Sequence, residues 1–226
     1  LAAMNYQQPV DEIRSLIEAP LAPQVRIDSR GEQLLLLYRD PYKTIAEMSE
    51  PELRLGGLRV NPVINIGSRT RYYNDLAVKH LHGESDNDTP ASPVVGLPAS
   101  ARLAYFSWSP DERFISFTHT TDTGVEIWLL EVKSHRARRL SLGSVNANLG
   151  NPVTWSADSQ SLLVTMLPAN RSELIETDTA VPTGPTVSDS DGAKAQNRTY
   201  QDLLKSPADE QNFERLVRSE IYRIDL

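Results

Sequence analysis

The residues here whose types could do chemistry are four histidines, eleven glycines and scattered acids, and their spacing excludes more than it offers. His80 and His82 are separated by one residue, so on a strand they share a face, with Glu84 and Asp86 just beyond. Two imidazoles beside a carboxylate are a metal-ligand set by type. An ordinary hairpin end accounts for them more simply, and no metal is assigned. His119 and His135 have no evident partner in the sequence. No two glycines are four residues apart, which excludes a Gly-x-Ser-x-Gly nucleophile elbow. None are two or five apart, which removes the dinucleotide fingerprint and the phosphate loop, and no His-Glu-x-x-His occurs. With no cysteine there is no disulfide, thiolate metal site or Cys nucleophile. No catalytic residue and no cofactor are assigned.

The composition bounds the rest. At 226 residues, 39% hydrophobic and 23% charged, the chain can bury one sizeable core or two small ones. No apolar run reaches the ~18 residues a membrane span needs. A net charge of −7 argues against nucleic acid as a partner. The one basic cluster, Arg136-Ala137-Arg138-Arg139, reads as a solvated turn or strand edge. Asn87-Asp88-Thr89, Asn170-Arg171-Ser172 and Asn197-Arg198-Thr199 fit the glycosylation pattern, which short segments meet by chance. The first residue is Leu1 rather than Met, as in a processed or excised chain. Leu1-Ala2-Ala3 would suit the tail of a signal peptide, so an exported or periplasmic location is expected, with cytoplasm or plastid as the alternative.

What must position any site is a repeat. Residues 107–117 read Ser-Trp-Ser-Pro-Asp-Glu-Arg-Phe-Ile-Ser-Phe, and 47 residues later 154–164 read Thr-Trp-Ser-Ala-Asp-Ser-Gln-Ser-Leu-Leu-Val. Glu126–Val132 recurs 94 residues on, at twice that period, as Glu220–Leu226. Ile27-Asp28-Ser29-Arg30-Gly31 is a degenerate third turn, with Asp28 lying 83 residues before Asp111. Strand-and-turn self-similarity at this period marks β-propeller blades. Trp108 and Trp155 occupy equivalent positions at blade starts, and inter-blade packing is their expected role.

The expected fold is all-β: a partial β-propeller of about three four-stranded blades, the last incomplete, with a short N-terminal helix and a helical insertion. Residues 1–24 form an extension, helical around 9–18 and stopped by Pro20 and Pro23. Blades follow at about 25–98, 99–150 and 151–226. Residues 39–62 read as irregular and Pro-punctuated, with a short helix around Ile45 to Met48. A strand is expected over 70–79 and a short one at Val94-Val95. The clearest blade has strands at 103–108, 113–119, 125–132 and 136–142. The next has strands at 153–156 and 161–167, then an insertion over about 170–218. Its first half, 177–197, is too polar to build a core. Its second half, 198–218, reads as helical on both sides of Pro207, with Tyr200, Leu203 and Leu204 on one face and Phe213, Leu216 and Val217 on another. A third strand ends the chain at Leu226, so the sequence is expected to be part of a longer array.

Particular segments carry a resemblance: Ile17-Glu18-Ala19-Pro20, then Pro51-Glu52-Leu53-Arg54-Leu55-Gly56-Gly57-Leu58-Arg59-Val60 and Asn61-Pro62. Asn65, Ser68-Arg69, Gly96-Leu97-Pro98 and Phe106-Ser107-Trp108-Ser109-Pro110-Asp111 follow. Pro182-Thr183-Gly184-Pro185 and Arg198-Thr199-Tyr200-Gln201-Asp202-Leu203-Leu204 complete it. In these the chain resembles the N-terminal part of prolyl-oligopeptidase-type serine peptidases, family S9, most of all the glutamyl endopeptidase branch of bacteria and plastids. The resemblance implies a propeller covering a C-terminal α/β-hydrolase domain with a Ser-Asp-His triad, and peptides as the substrate. No triad residue maps onto this chain. It also implies a cation for a substrate glutamate, and Arg69 and Arg71 in the Ser-Arg segment are the candidates, through the planar fork of guanidinium. Pairing with local carboxylates is the competing role for both. A stand-alone propeller that binds peptides or partner proteins is the alternative function, and a periplasmic translocation-accessory propeller sharing only the Trp-Ser-Pro-Asp turn is a third.

Overall fold

A computed structural model describes residues 8–81, 90–141, 144–176, 192 and 202–226. In chain order the elements are α1 (Asp11–Ile17), β1 (Gln24–Ile27), β2 (Gln33–Tyr38), α2 (Ile45–Met48), β3 (Leu53–Leu55), β4 (Leu58–Asn61), β5 (Ile66–Gly67), β6 (Asp75–His80) and β7 (Ser92–Pro93). Then come β8 (Leu103–Trp108), β9 (Phe114–Thr120), β10 (Val125–Glu131), β11 (Arg136–Arg139), β12 (Val153–Trp155), β13 (Ser161–Met166), α3 (Pro207–Val217) and β14 (Glu220–Asp225). The fold is mostly β. Three repeat sheets run β1-β2-β6-β7, β8-β9-β10-β11 and β12-β13-β14, and a fourth, small sheet runs β3-β4-β5.

These residues form two compact units, each discontinuous in the chain. The first takes in residues up to Ser49, Arg71–His119 and Trp128–Arg139. Its core follows strand alternation: Leu35 and Leu37 of β2, Leu76 and Val78 of β6, and Ile115 and Phe117 of β9 are all buried. Phe106 stacks on Phe117 at 5.5 Å between centroids, and Tyr73 meets Phe106 edge-on at 5.7 Å. Trp108 packs against the same core, as inter-blade packing requires. Each fully buried side chain of this size stabilises by about 1.5–3 kcal/mol. Backbone bonds knit the two sheets: Val95 N–H donates to the His135 carbonyl and Ala137 N–H to the Val95 carbonyl, both at 2.8 Å.

The second unit comprises Glu50–Thr70, Thr120–Ile127 and Leu140–Leu226. β14 pairs with the whole of β13, from Ser161 opposite Asp225 to Met166 opposite Glu220, as the repeat register demands. One apolar cluster there is Leu55, Val60 and Leu216, flanked by Leu53, Leu58, Leu174 and Phe213, and Ile66, Ile127, Leu162 and Val164 are also fully buried.

Several expectations are corrected. Residues 39–62 are not irregular throughout, because β3 and β4 pair there with Leu53 opposite Val60 and Leu55 opposite Leu58. Gly56 and Gly57, at φ 58° and 82°, make the two-residue turn between them. A Cβ at Gly56 would come within 2.8 Å of the Phe213 ring, so the turn is where α3 rests. Among the described residues, the helix expected on both sides of Pro207 is present only from Pro207 onward. Ser206 caps α3 in a reciprocal box with Asp209, and Pro207 takes the first turn, where its missing N–H costs nothing. Pro207 also disfavours helix in what precedes it, so Leu203 and Leu204 are non-helical and largely exposed. Tyr200 lies outside the described residues. The strand expected over 70–79 is Asp75–His80, and the outer strand expected at Val94-Val95 is Ser92–Pro93. α1 buries none of its residues, and Ile13, Leu16 and Ile17 are exposed.

Candidate functional site

The repeated turns show what their acids are for. In the first, Ser109 Oγ donates to Asp111 Oδ1 at 2.7 Å and accepts from the Phe114 N–H at 3.0 Å. In the second, Ser156 Oγ donates to Asp158 Oδ1 at 2.5 Å and accepts from the Ser161 N–H at 3.0 Å. Glu112 and Ser159, at φ 58° and 60°, occupy the same left-handed position. The degenerate copy is offset from the expected alignment. Asp28 donates its N–H to the Gln33 carbonyl as Ser109 does to Phe114, and Gly31 at φ 74° fills the left-handed position. Asp28 therefore replaces the turn serine rather than Asp111, and its carboxylate accepts from the Glu32 and Gln33 N–H groups. Burial pushes the Asp111 carboxyl up, but bonds from Ser109 and Arg113 and the Arg113 charge outweigh it and hold it at about 2. An acid held that low is a structural acceptor, not a proton donor near neutral pH.

Arg69 and Arg71 fall in different units. Arg69, in the second, has its Nε 4.0 Å from Glu52 Oε2 with its side chain mostly exposed. Glu52 also accepts from Ser68 Oγ at 2.5 Å and Arg54 Nε at 2.7 Å. The Ser68 bond foremost holds the Glu52 carboxyl below the usual range; burial opposes it, and Arg54 and Arg59 add to the lowering. Arg71, in the first unit, is exposed.

The histidines pair differently from their spacing. His80 Nε2 lies 3.3 Å from His135 Nε2, which belongs to the β10–β11 turn, while His82 lies outside the described residues, as do Glu84 and Asp86. Burial, and then the neighbouring His80, push the His135 imidazole below its ordinary value. His80 lines a cavity of about 550 Å³ together with Asp28, Asp111, Glu112 and Glu131. Among the described residues no three His, Asp or Glu side chains are placed to share a metal ion.

One junction has no counterpart in the sequence reading. Arg59 of β4 pairs with Asp202 at 2.8 Å, their side chains only 17% and 12% exposed. The Gly57 N–H donates to the Asp202 carbonyl at 3.1 Å, and Asp202 itself sits at φ 61°. These residues are 143 apart in sequence. They belong to the Pro-Glu-Leu and Arg-Thr-Tyr-Gln-Asp segments, the two most distinctive in the chain. Each segment interrupts a repeat sheet between its second and third strands. Nothing local in either predicts the other.

With this geometry described, its relatives can be named. No family model matches the chain. A probable chloroplastic glutamyl endopeptidase of Oryza sativa subsp. japonica is 28% identical over 232 residues, which is 97% of this chain and 24% of that protein. Its counterpart in Arabidopsis thaliana is 28% identical over 226 residues, 96% of this chain and 23% of that protein. The chain thus spans about a quarter of the length of the curated relatives it matches. Among solved structures, an acylaminoacyl peptidase of Pyrococcus horikoshii gives a TM-score of 0.40 at 14% identity, over 74% of this chain and 20% of that one. A putative TolB of Agrobacterium tumefaciens gives 0.32 at 13% identity, over 67% of this chain and 56% of that one. Along nearly its whole length, the chain is homologous to a part of the glutamyl endopeptidases.

Proposed function

We propose that this chain is the non-catalytic propeller portion of a serine endopeptidase, limiting which peptides reach a C-terminal α/β-hydrolase domain that lies beyond these residues. The observation that carries the reading is the match to two glutamyl endopeptidases over nearly all of the chain. The Arg59–Asp202 junction supports it, since it joins the two segments most distinctive of that branch. In this reading the nucleophile, base and orienting acid come from the hydrolase domain, and the present residues select and admit substrate. Arg69 and Arg71 are the sequence's candidates for meeting a substrate carboxylate.

The test is made on the full-length protein. It is expected to react with a fluorophosphonate and to cleave peptides carrying Glu before the scissile bond. A full-length product near 25.2 kDa that does neither would overturn the reading in favour of a binding module. Arg69→Ala is expected to raise KM for Glu peptides about tenfold while sparing others, the size of one lost charged hydrogen bond. An equal loss on every peptide would remove Arg69 from substrate contact.

A further inference from the structure

A second group of arginines has fewer carboxylates to answer to than Arg69. Arg171, Arg215 and Arg218 line one cavity of about 360 Å³ in the second unit. Arg171 lies just after β13, Arg215 in the last turn of α3, and Arg218 is its C-cap. In a chain of net charge −7, three guanidinium groups on one small cavity call for an explanation. The end of α3 supplies part of one, because a helix C-terminus attracts cations. That accounts for Arg215 and Arg218 but not for Arg171, which lies outside the helix.

The partners of these arginines are neutral. Arg171 Nη1 donates to the Asn65 side-chain oxygen at 2.5 Å. Arg215 donates to the Glu173 carbonyl at 2.5 Å and to Gln211 Oε1 at 3.4 Å. Among the described residues none of the three has a carboxylate within ion-pair distance, although Glu214 also lines the cavity. Burial pushes the Arg171 guanidinium below its usual value, so it has lost water without gaining an anion. The surroundings are stiff: Asn212 exchanges two bonds with the Ile175 backbone, at 2.7 and 2.8 Å, and Asn146 and Asn148 both donate to the Leu216 carbonyl. A partly desolvated guanidinium in a stiff setting, with two more guanidinium groups on the same cavity, suits a planar carboxylate.

We infer that Arg171, Arg215 and Arg218 form a binding site for a carboxylate of a peptide ligand, either an acidic side chain or the free C-terminus. The inference rests on the peptide-processing reading above and gives it a substrate feature. Arg171 and Arg215 are held in place by their neutral partners, and the exposed Arg218 supplies the third contact.

The experiment uses full-length protein treated with a fluorophosphonate, so that bound peptide is not turned over. Three fluorescein-labelled octapeptides are titrated by anisotropy: one central Glu with an amidated end, its Gln analogue with an amidated end, and that Gln analogue with a free end. Binding of the first at least about tenfold tighter than the second identifies a side-chain carboxylate, and tighter binding of the third identifies the terminus, each within the range of a charged hydrogen bond. Arg218→Gln, whose side chain makes no hydrogen bond among the described residues, is expected to remove most of that preference at an unchanged Tm. Arg171→Lys keeps the charge but loses the fork, and is expected to weaken it partly. Equal binding of all three peptides, or a preference that survives Arg218→Gln and Arg171→Gln, overturns the site. Untreated protein separates the two readings. Preferential binding without cleavage of any peptide would sink the peptidase and leave the site; cleavage indifferent to both variants would do the reverse.

Discussion

The two units are held together in different ways. In the first, aromatic and branched side chains from two repeat sheets form one continuous apolar core, and hydrogen bonds are mostly those of the ladders. In the second, the cluster of Leu55, Val60 and Leu216 lies with α3, other apolar residues such as Ile66, Leu162 and Val164 are buried apart from it, and directional bonds between distant segments stand beside them. Arg59–Asp202, Asn212 with Ile175, and the two asparagines on Leu216 O tie segments far apart in sequence. Burial tolerates exchange of one apolar residue for another of like volume, whereas a bond between two named groups does not. Single polar changes at these bonds of the second unit should accordingly have sharp, local effects, and the same unit holds the arginine cavity.

Native-state hydrogen exchange on the full-length protein can break this contrast. The largest effect is expected from Phe117→Ala, which removes a fully buried ring and costs about 3–5 kcal/mol. Exchange should quicken across β2, β6, β9 and β10 while β3 and β4 keep their protection. A uniform rise in both units would show that they open as one. Asp202→Asn comes next. It removes the Asp202 carboxylate from the poorly exposed Arg59, costing about 2 kcal/mol, and should loosen β3, β4 and α3 alone. The smallest effect concerns pH. The Asp111 carboxyl is lower in the folded chain than the usual value, so its contribution is complete above about pH 4 and is lost as pH falls through about 2. Its side chain is 31% exposed and screened, so Asp111→Asn should flatten the acid limb of the β8–β9 protection profile by under about 1 kcal/mol. An acid limb unchanged in the variant would remove Asp111 from the account.

Much of the fold was legible because it repeats. The Trp-Ser-x-Asp turns located β8, β9, β12 and β13 within a residue or two, and the same register placed β14 across a long insertion. Where copies had drifted, legibility failed by degrees. Asp28 looked like the turn aspartate and proved to stand in for the serine, because either side chain can accept from the strand that follows. The β3–β4 hairpin was hidden between Pro51 and Pro62, although Leu53-Arg54-Leu55-Gly56-Gly57-Leu58 carries the alternation and paired glycines of a tight turn. The candidate site was barely legible. Arg171 and Arg218 are 47 positions apart, and only the fold of the insertion sets them on one cavity. His80 was coupled to a residue two positions away when its neighbour is 55 away. Long-range pairing leaves no local periodicity to read.

The Gly56-Gly57 turn has a consequence for how this region can change over time. Its two glycines are constrained for unlike reasons. At Gly57 only the backbone angle objects, since a Cβ would meet nothing within 4 Å, so asparagine or aspartate can stand there. At Gly56 the Phe213 ring occupies the space as well, and relief requires a smaller residue on α3. Drift at Gly56 is thereby chained to drift at Phe213, and a side chain at position 56 should be found only where position 213 carries less than a phenyl ring.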